Sequence, residues 1–350
     1  MLTRDFDYHL PEEAIAERPA PRGESRLLVL DRSGSERHAR VRDLPGLLRP
    51  GDLVVVNDTR VIPARLFARR ADAPGGSAGI ELLLVEKLGD RTWEVLAKPG
   101  KRVRPGAVLD LSEGLSAEVV ALRDDGRREV RFSAEVEPYL DRLGHVPLPP
   151  YIKRADDAAD RERYQTVFAR NPGAIAAPTA GLHLSNEILA DFEAARIGLA
   201  RVTLHVGIGT FKPVTADLVH EHRMEHERWE ISDETAAAIE RTRGAGGRIV
   251  AIGTTVVRAL ESAAAEPGAQ GNLGEIRAGS GSTRLFITPG YSFRAVDVLL
   301  TNFHLPCSTL LMLVSAFAGR ERVLAAYREA IEAGYRFYSY GDAMLVERAG

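Results

Sequence analysis

The sequence holds one cysteine, Cys307, in 350 residues. That excludes an internal disulfide framework and any metal site built from several thiolates. No run of about 18 uncharged apolar residues occurs, so no membrane-spanning helix is expected. The first residues, MLTRDFDYHLPEEAIAERP, carry Asp5, Asp7, Glu12 and Glu13 and no apolar stretch. They do not read as a secretory signal, and a cytoplasmic location is the expectation. The formal charge is -3, which excludes a polycation and confines any nucleic-acid surface to a local patch. Two nucleotide signatures are missing as well. There is no Gly-x-x-x-x-Gly-Lys-Ser/Thr phosphate loop, and Gly207-Ile208-Gly209 lacks the third glycine of the dinucleotide fingerprint. Nothing therefore points to a kinase or a nicotinamide enzyme. Apolar residues, by contrast, make up 45% of the chain. That is enough for a large core, and the length favours two domains over one.

Apolar runs at 26–31, 53–57 and 296–300 read as buried strands. From about 61 to 150 the pattern changes to short alternating runs at 80–87, 93–97, 108–111, 115–122 and 129–132. Turn signals such as Pro74-Gly75-Gly76, Lys98-Pro99-Gly100 and Asp124-Asp125-Gly126 separate them. Five or six strands at this spacing predict a small antiparallel barrel. After Tyr151 strands alternate with helices. Ser185 caps a helix over 186–196 that ends at Gly198, and Ser232 caps 233–243 before Gly244. Gly253-Thr254-Thr255 opens a helix over 256–265, Ser308 or Thr309 caps one running to about 317, and 320–333 is a further helix. The remaining strands are 199–206 and 248–252. The expected fold is α/β: a layered α/β/α main (catalytic) domain of residues 1–60 plus 151–350, with a small antiparallel β-barrel domain of six-stranded type inserted at 61–150. The Gly- and Ala-rich stretch 266–281 reads as an exposed loop.

Polar clusters stand at the ends of the apolar runs. Asn302 and His304 follow strand 296–300 and precede a helix, the place where open α/β sheets bind ligands. Asn57-Asp58-Thr59-Arg60 ends another strand and suits either a substrate clamp, with Arg60 on an anion, or an Asx turn. In the loop Pro178-Thr179-Ala180-Gly181-Leu182-His183, Gly181 permits close approach of backbone to a ligand, and a helix start follows. His205, Gly207, Gly209 and Thr210 follow a third strand. His220-Glu221-His222-Arg223-Met224-Glu225-His226-Glu227 holds three of nine histidines but not the order His-Glu-x-x-His, so no metal is expected. His226 or Glu227 suits general acid-base chemistry, and a solvated charged loop is the other reading. Residues 335–344 pack aromatics around Arg336 and Asp342, either to stack a base or to close the core. The insert has sixteen Lys/Arg against fourteen Asp/Glu over 61–154, a net of only +2.

These segments, in this order, resemble one family, the S-adenosylmethionine:tRNA ribosyltransferase-isomerases of queuosine biosynthesis. The resemblance rests on Asp5-Phe6-Asp7-Tyr8-His9-Leu10-Pro11, on Val56-Asn57-Asp58-Thr59-Arg60-Val61-Ile62-Pro63-Ala64-Arg65, and on Pro178-Thr179-Ala180-Gly181-Leu182-His183. It continues through Leu204-His205-Val206-Gly207-Ile208-Gly209-Thr210-Phe211, Ile252-Gly253-Thr254-Thr255-Val256-Val257-Arg258, 301–306 and 335–344, and so covers essentially the whole chain. The family usually reads Met-His-x-Glu where this chain has Met224-Glu225-His226-Glu227. Glu227 aligns, and the family's His has no counterpart at the same place.

The resemblance implies a ribosyl donor, S-adenosyl-L-methionine, used as a substrate, with no permanently bound cofactor. It implies an acceptor tRNA carrying 7-aminomethyl-7-deazaguanine at the wobble position, no membrane, and a monomer. Catalytic candidates are Glu227, His226 and Asp342. Binding candidates are Asp58, Arg60, Thr179, Gly181, His183, His205, Gly207, Gly209, Thr210, Thr254, Thr255, Arg258, Asn302, His304 and Tyr340. Glu227 or His226 would act as base, and Arg60 or Arg258 would hold an anionic group. The Gly253-Thr254-Thr255 helix start and the 207–210 loop would contact the donor through backbone N–H groups. Asn302, His304 and Asp342 would meet ribose hydroxyls or a purine edge. Glu227→Gln is expected to stop turnover with folding intact, and the insert is expected to grip tRNA. The other readings are an S-adenosylmethionine-dependent methyltransferase and a non-catalytic RNA-binding protein.

Overall fold

The computed structural model describes residues 1–72, 79–207, 209, 214–264 and 274–349. Contacts divide the chain into two compact units. One comprises Met1–Arg60, Pro150–Lys153 and Arg163–Gly350, and the other Val61–Pro149 with Arg154–Glu162.

The first unit is built on a nine-stranded mixed sheet. Its order is Gly279–Thr283, Glu227–Ile231, Gly198–Leu204, Leu53–Asn57, Ile249–Ile252, Val298–Asn302, Ala343–Glu347, Arg26–Leu30, Glu36–Arg40. The four strands from Gly198–Leu204 to Val298–Asn302 run parallel. Ala343–Glu347 returns antiparallel to Val298–Asn302. The parallel strands are continuous apolar runs because both faces are covered, as parallel sheets require. Side chains alternate between the two cores. Val55, Ala251 and Leu299 face a core completed by Val257, Leu313 and Tyr327 of three helices. Val56, Ile252 and Leu300 face one completed by Leu44, Ile188 and Phe192. The result is the layered α/β/α arrangement expected.

Three serine caps form as the spacing predicts. Ser185 accepts from the Ile188 N–H, Ser232 from Thr235, and Ser308 from Leu311. Gly198 does not end its helix, which stops at Ala194; it opens the next strand instead. The chain reverses through Arg196, at φ 59°. A side chain at 198 is sterically barred, since its Cβ would lie 2.8 Å from Leu53. The sheet's outer strands Glu36–Arg40 and Gly279–Thr283 were not anticipated, for the first is polar and the second is GSGST. Part of the expected 266–281 loop is therefore strand, and 266–273 lie outside the described residues. Gly281 belongs there because the Trp229 indole packs where its Cβ would be, at 2.8 Å.

The second unit is a closed barrel in the order Arg128–Phe132, Thr92–Lys98, Ile80–Gly89, Arg65–Arg70, Val108–Ser112, Leu115–Leu122. Alternating residues such as Leu66, Leu82, Val95, Leu109, Val119 and Val130 fill it. The sixth strand, Arg65–Arg70, was hidden by its basic outward face. The turn expected at Pro74-Gly75-Gly76 lies outside the described residues. Residues Arg154–Glu162 join this unit through Asp156, which accepts from His145 Nδ1 at 2.9 Å, and Arg161, which donates to the Asp141 carbonyl at 2.8 Å.

Candidate active site

A cleft of about 740 Å³, measured out to its mouth, opens at the carboxyl ends of the parallel strands. Its walls are Val206 after the first parallel strand, Gly253-Thr254-Thr255 after the third, and residues 301–305 after the fourth. Ala177–Ala180, Ser308, Leu310, Tyr151, Tyr338 and Ser339 complete it. This is where open α/β sheets place ligands, because strand ends leave a gap between the loops that diverge from them. Asn57 ties three of those ends together. Its Nδ2 donates to the Leu204 carbonyl at 2.9 Å and to Thr255 Oγ1 at 3.3 Å, and its Oδ1 accepts from Leu204 N at 3.0 Å. Gly253 turns the chain into helix Thr254–Ala263 at φ 96°, with no side chain capping that N-terminus. Its N–H groups and positive end face the cleft as an anion or dipole partner.

Asn302 is the most constrained polar group in the wall. Its Nδ2 donates to the Tyr338 carbonyl at 3.0 Å and meets His183 Nε2 at 3.1 Å. Its Oδ1 is buried and has no hydrogen-bond partner. Burial lowers the His183 pKa to about 4, aided by Arg336, Arg22 and Arg163. The ring is thus neutral, and because it meets the Asn302 Nδ2 donor, Nε2 is its acceptor nitrogen. His304 is neutral for the same reason, pushed down to about 3 by burial alone. Its Nε2 pairs with Thr301 Oγ1 at 2.7 Å, and its backbone N–H donates to Tyr327 Oη at 3.0 Å. The Tyr8 hydroxyl donates to the His304 carbonyl, and Phe6 accepts from Cys307 N at 3.0 Å. The N-terminal motif 5–11 therefore braces the loop below the cleft.

The aromatic lining comes from afar in sequence. The Tyr151 and Tyr338 rings lie 4.1 Å apart at 34°, and the Tyr151 hydroxyl pairs with Ser339 Oγ. Tyr338 sits at φ 73°, a left-handed position uncommon for a bulky residue. Asp342 holds that loop: its two oxygens accept from Arg26 N at 2.9 Å and Arg336 N at 2.8 Å. Gly341 leaves no room for a side chain, since a Cβ would lie 2.4 Å from the Arg336 carbonyl. Asp342 lies outside the cleft lining, and so does Tyr340, which borders a small side pocket with His183, Arg22 and Arg163.

Of the residues expected from sequence, Thr179, Thr254, Thr255, Asn302 and His304 line the cleft. Gly181 and His183 lie behind Thr179, where a Cβ on Gly181 would meet Thr166 and Phe168 at 2.9 Å. Asp58 is buried among its own partners, accepting from Thr203 Oγ1 at 2.7 Å and Asn171 Nδ2 at 3.1 Å. Arg60 is exposed. His205 pairs with Thr59 Oγ1 at 2.9 Å and packs against Gly173; burial, then Arg228, lowers its pKa. Glu227 opens a strand, not a loop, and is buried in an ion pair with Arg258 Nη1. It also accepts from Gly207 N at 3.2 Å, next to the lining residue Val206. Arg258 Nη2 is buried without a partner. His226 is exposed beside Ser282, at 3.0 Å. Gly209 lies against Glu225, and Thr210 lies outside the described residues. Among the described residues no group of three or more His, Cys, Asp or Glu is placed to hold a metal, and no helix is long and apolar enough to cross a membrane.

Sequence reasoning passed over Tyr151 and Ser339 as lining residues. A linker tyrosine and a serine in an aromatic stretch carry no periodic signal. In the barrel, several basic residues face acids of the same unit. Arg127 pairs with Glu94 at 2.7 Å, Arg123 with Glu129 at 3.0 Å and Arg142 with Glu113 at 2.7 Å, and Lys87 pairs with Glu137.

A family model described as "Queuosine biosynthesis protein" matches residues 3–346. The chain is 52% identical over 346 residues to the S-adenosylmethionine:tRNA ribosyltransferase-isomerase of Heliobacterium modesticaldum, covering 97% of this chain and 98% of that one. It is 54% identical to the Gloeobacter violaceus protein of the same name, covering 99% and 96%. A solved structure of the S-adenosylmethionine tRNA ribosyltransferase of Thermotoga maritima is similar at TM-score 0.54 and 39% identity, over 98% of this chain and 99% of that one.

Proposed function

The chain belongs to the queuosine biosynthesis protein family and is a tRNA ribosyltransferase-isomerase, and we propose that it acts on a tRNA bearing 7-aminomethyl-7-deazaguanine at the wobble position. S-adenosylmethionine donates its ribosyl group, which is transferred and isomerised, and epoxyqueuosine-tRNA, adenine and methionine are the products. The observation that carries this reading is the cleft itself. Motif residues from five separate segments meet there, at the carboxyl ends of three of the four parallel strands, beside an open helix N-terminus.

The reaction makes definite demands. The sulfonium acidifies the ribose 5′ protons, so a base must take one. Adenine must leave, the acceptor amine must attack in its neutral form, and the methionine carboxylate needs a cationic or helix-terminal partner. Glu227 and Arg258 answer two of these together. In the free protein Arg258 neutralises Glu227. An incoming carboxylate that draws on Arg258 through its unpaired Nη2 weakens the ion pair and makes Glu227 a stronger base for the 5′ proton. Thr254 and Thr255 orient the donor at the helix start, and Asn302 and His304 contact its nucleoside. The barrel contributes to tRNA binding through its remaining cations, among them Lys101 and Arg104.

The test is to incubate the protein with S-adenosylmethionine and the modified tRNA and to quantify adenine and methionine. Equal release of both, dependent on the modified base, is expected. Formation of S-adenosylhomocysteine would establish methyl transfer instead. No release by folded protein that still binds the tRNA would leave a binding module.

A further inference from the structure

We propose that Asn302 is a specificity-determining residue whose Oδ1 accepts a hydrogen bond from the exocyclic amine of the donor's purine, with His183 as the residue that positions it. The proposal rests on the donor being S-adenosylmethionine, as argued above.

Asn302 Nδ2 has two hydrogens, and both are used inside the protein. One goes to the Tyr338 carbonyl at 3.0 Å, the other to His183 Nε2 at 3.1 Å. A carbonyl oxygen only accepts, so the amide cannot flip without setting two oxygens against each other. His183 closes the other side. It is buried, and Arg336, Arg22 and Arg163 disfavour the charged ring, so it is neutral; with the amide fixed by the Tyr338 carbonyl, its Nε2 faces the Nδ2 donor and is the unprotonated nitrogen. Oδ1 is thereby locked as an acceptor, buried and without a partner, in a residue of the cleft wall. Of the other polar side chains of that wall, His304 Nε2 and Ser308 Oγ are already paired inside the protein, and Thr179 and Thr254 carry hydroxyls, which can turn to donate or accept. Asn302 cannot adapt, and a buried acceptor left unmatched is penalised. The paired Tyr151 and Tyr338 rings favour a flat heteroaromatic ligand beside it. Of the donor's groups, the purine 6-amine is flat, neutral and a hydrogen donor. Replacing it by a 6-oxo group sets oxygen against oxygen. An amine on the acceptor tRNA's deazaguanine has the same chemistry, and the experiment separates the two.

The measurement compares S-adenosylmethionine with its 6-oxo (inosine) counterpart, by calorimetric binding to the full chain and by tRNA-dependent release of adenine or hypoxanthine. The wild type is expected to prefer the adenosyl donor about 100-fold or more in Kd and in kcat/KM. Asn302→Ala should bring that ratio to within about threefold, and His183→Leu should lower it in the same direction. A merely structural role would lower binding of both donors and preserve the ratio, which would overturn the proposal. So would a wild type that binds both donors within about threefold. A raised KM for the tRNA in Asn302→Ala, with the donor ratio intact, would assign Oδ1 to the tRNA base and overturn it too. Discrimination in binding without release of any base would uphold this assignment and refute the ribosyl-transfer reading alone.

Discussion

Lowering the pH from 7 to 5 should destabilise the sheet unit through two buried histidines. His183 and His304 are held neutral, with pKa values lowered to about 4 and about 3, mainly by burial. In the unfolded chain both titrate near 6.5. Between these values the unfolded state binds more protons than the native one, so stability falls as pH falls below 6.5 and levels off only near the folded values. Each neutral ring forfeits about 1.4 kcal/mol per pH unit in that window, or about 2 kcal/mol at pH 5 and about 4 kcal/mol for the pair. Two carboxyl groups with raised pKa values act in the opposite sense. Glu36 is pushed up to about 7 by burial and by Glu329, and burial also raises Glu261. The informative quantity is therefore the difference between proteins. Urea unfolding would be followed at Trp229, in a Trp93→Phe background so that the barrel is silent, at pH 7 and pH 5. His183→Gln and His304→Gln should each lose about 2 kcal/mol less than their parent on acidification. Equal losses in parent and variants would refute the assignment of neutral, proton-refusing rings to His183 and His304.

Glu227→Gln leaves Arg258 buried without a counter-charge and should cost about 3 to 5 kcal/mol by urea unfolding as well as abolish adenine release, where sequence alone predicted intact folding. Retention of full stability would show that the pair is not buried as described. Ser308→Ala removes the cap of the helix Thr309–Ala318 and should lower stability by about 1 kcal/mol in the same assay. Gly253→Ala forces a side chain into φ 96° and to 3.4 Å from Ala180 Cβ, so it should raise KM for the donor at least several-fold; an unchanged KM would place the donor elsewhere. Removing Lys101 and Arg104 together should flatten the dependence of log K for tRNA on log salt by about one to two units. An unchanged slope would take the barrel out of tRNA binding.

Much of this architecture is legible in the sequence. The parallel strands show as unbroken apolar runs because the sheet is covered on both faces. Ser185, Ser232 and Ser308 mark helix starts because a cap bond spans three residues. Asn302, His304, Thr179 and the Gly253-Thr254-Thr255 turn read as site residues because polar groups after a buried strand have few other uses. The outer strands Glu36–Arg40 and Gly279–Thr283 escape because they are held by pairing with Arg26–Leu30 and Glu227–Ile231, not by an apolar pattern of their own. The site shows the same division. Asp58 and Asp342 carry the same chemistry on paper as Glu227, yet each is occupied by partners up to 316 residues away. Tyr151 and Ser339 reach the cleft across 188 residues of chain. Segment type, caps and strand-end polarity follow from interactions within a few residues, so the sequence alone determines them. Which polar atoms are spent inside the protein, and which, like Asn302 Oδ1, remain without a partner, depends on contacts that only the folded chain brings within hydrogen-bonding distance.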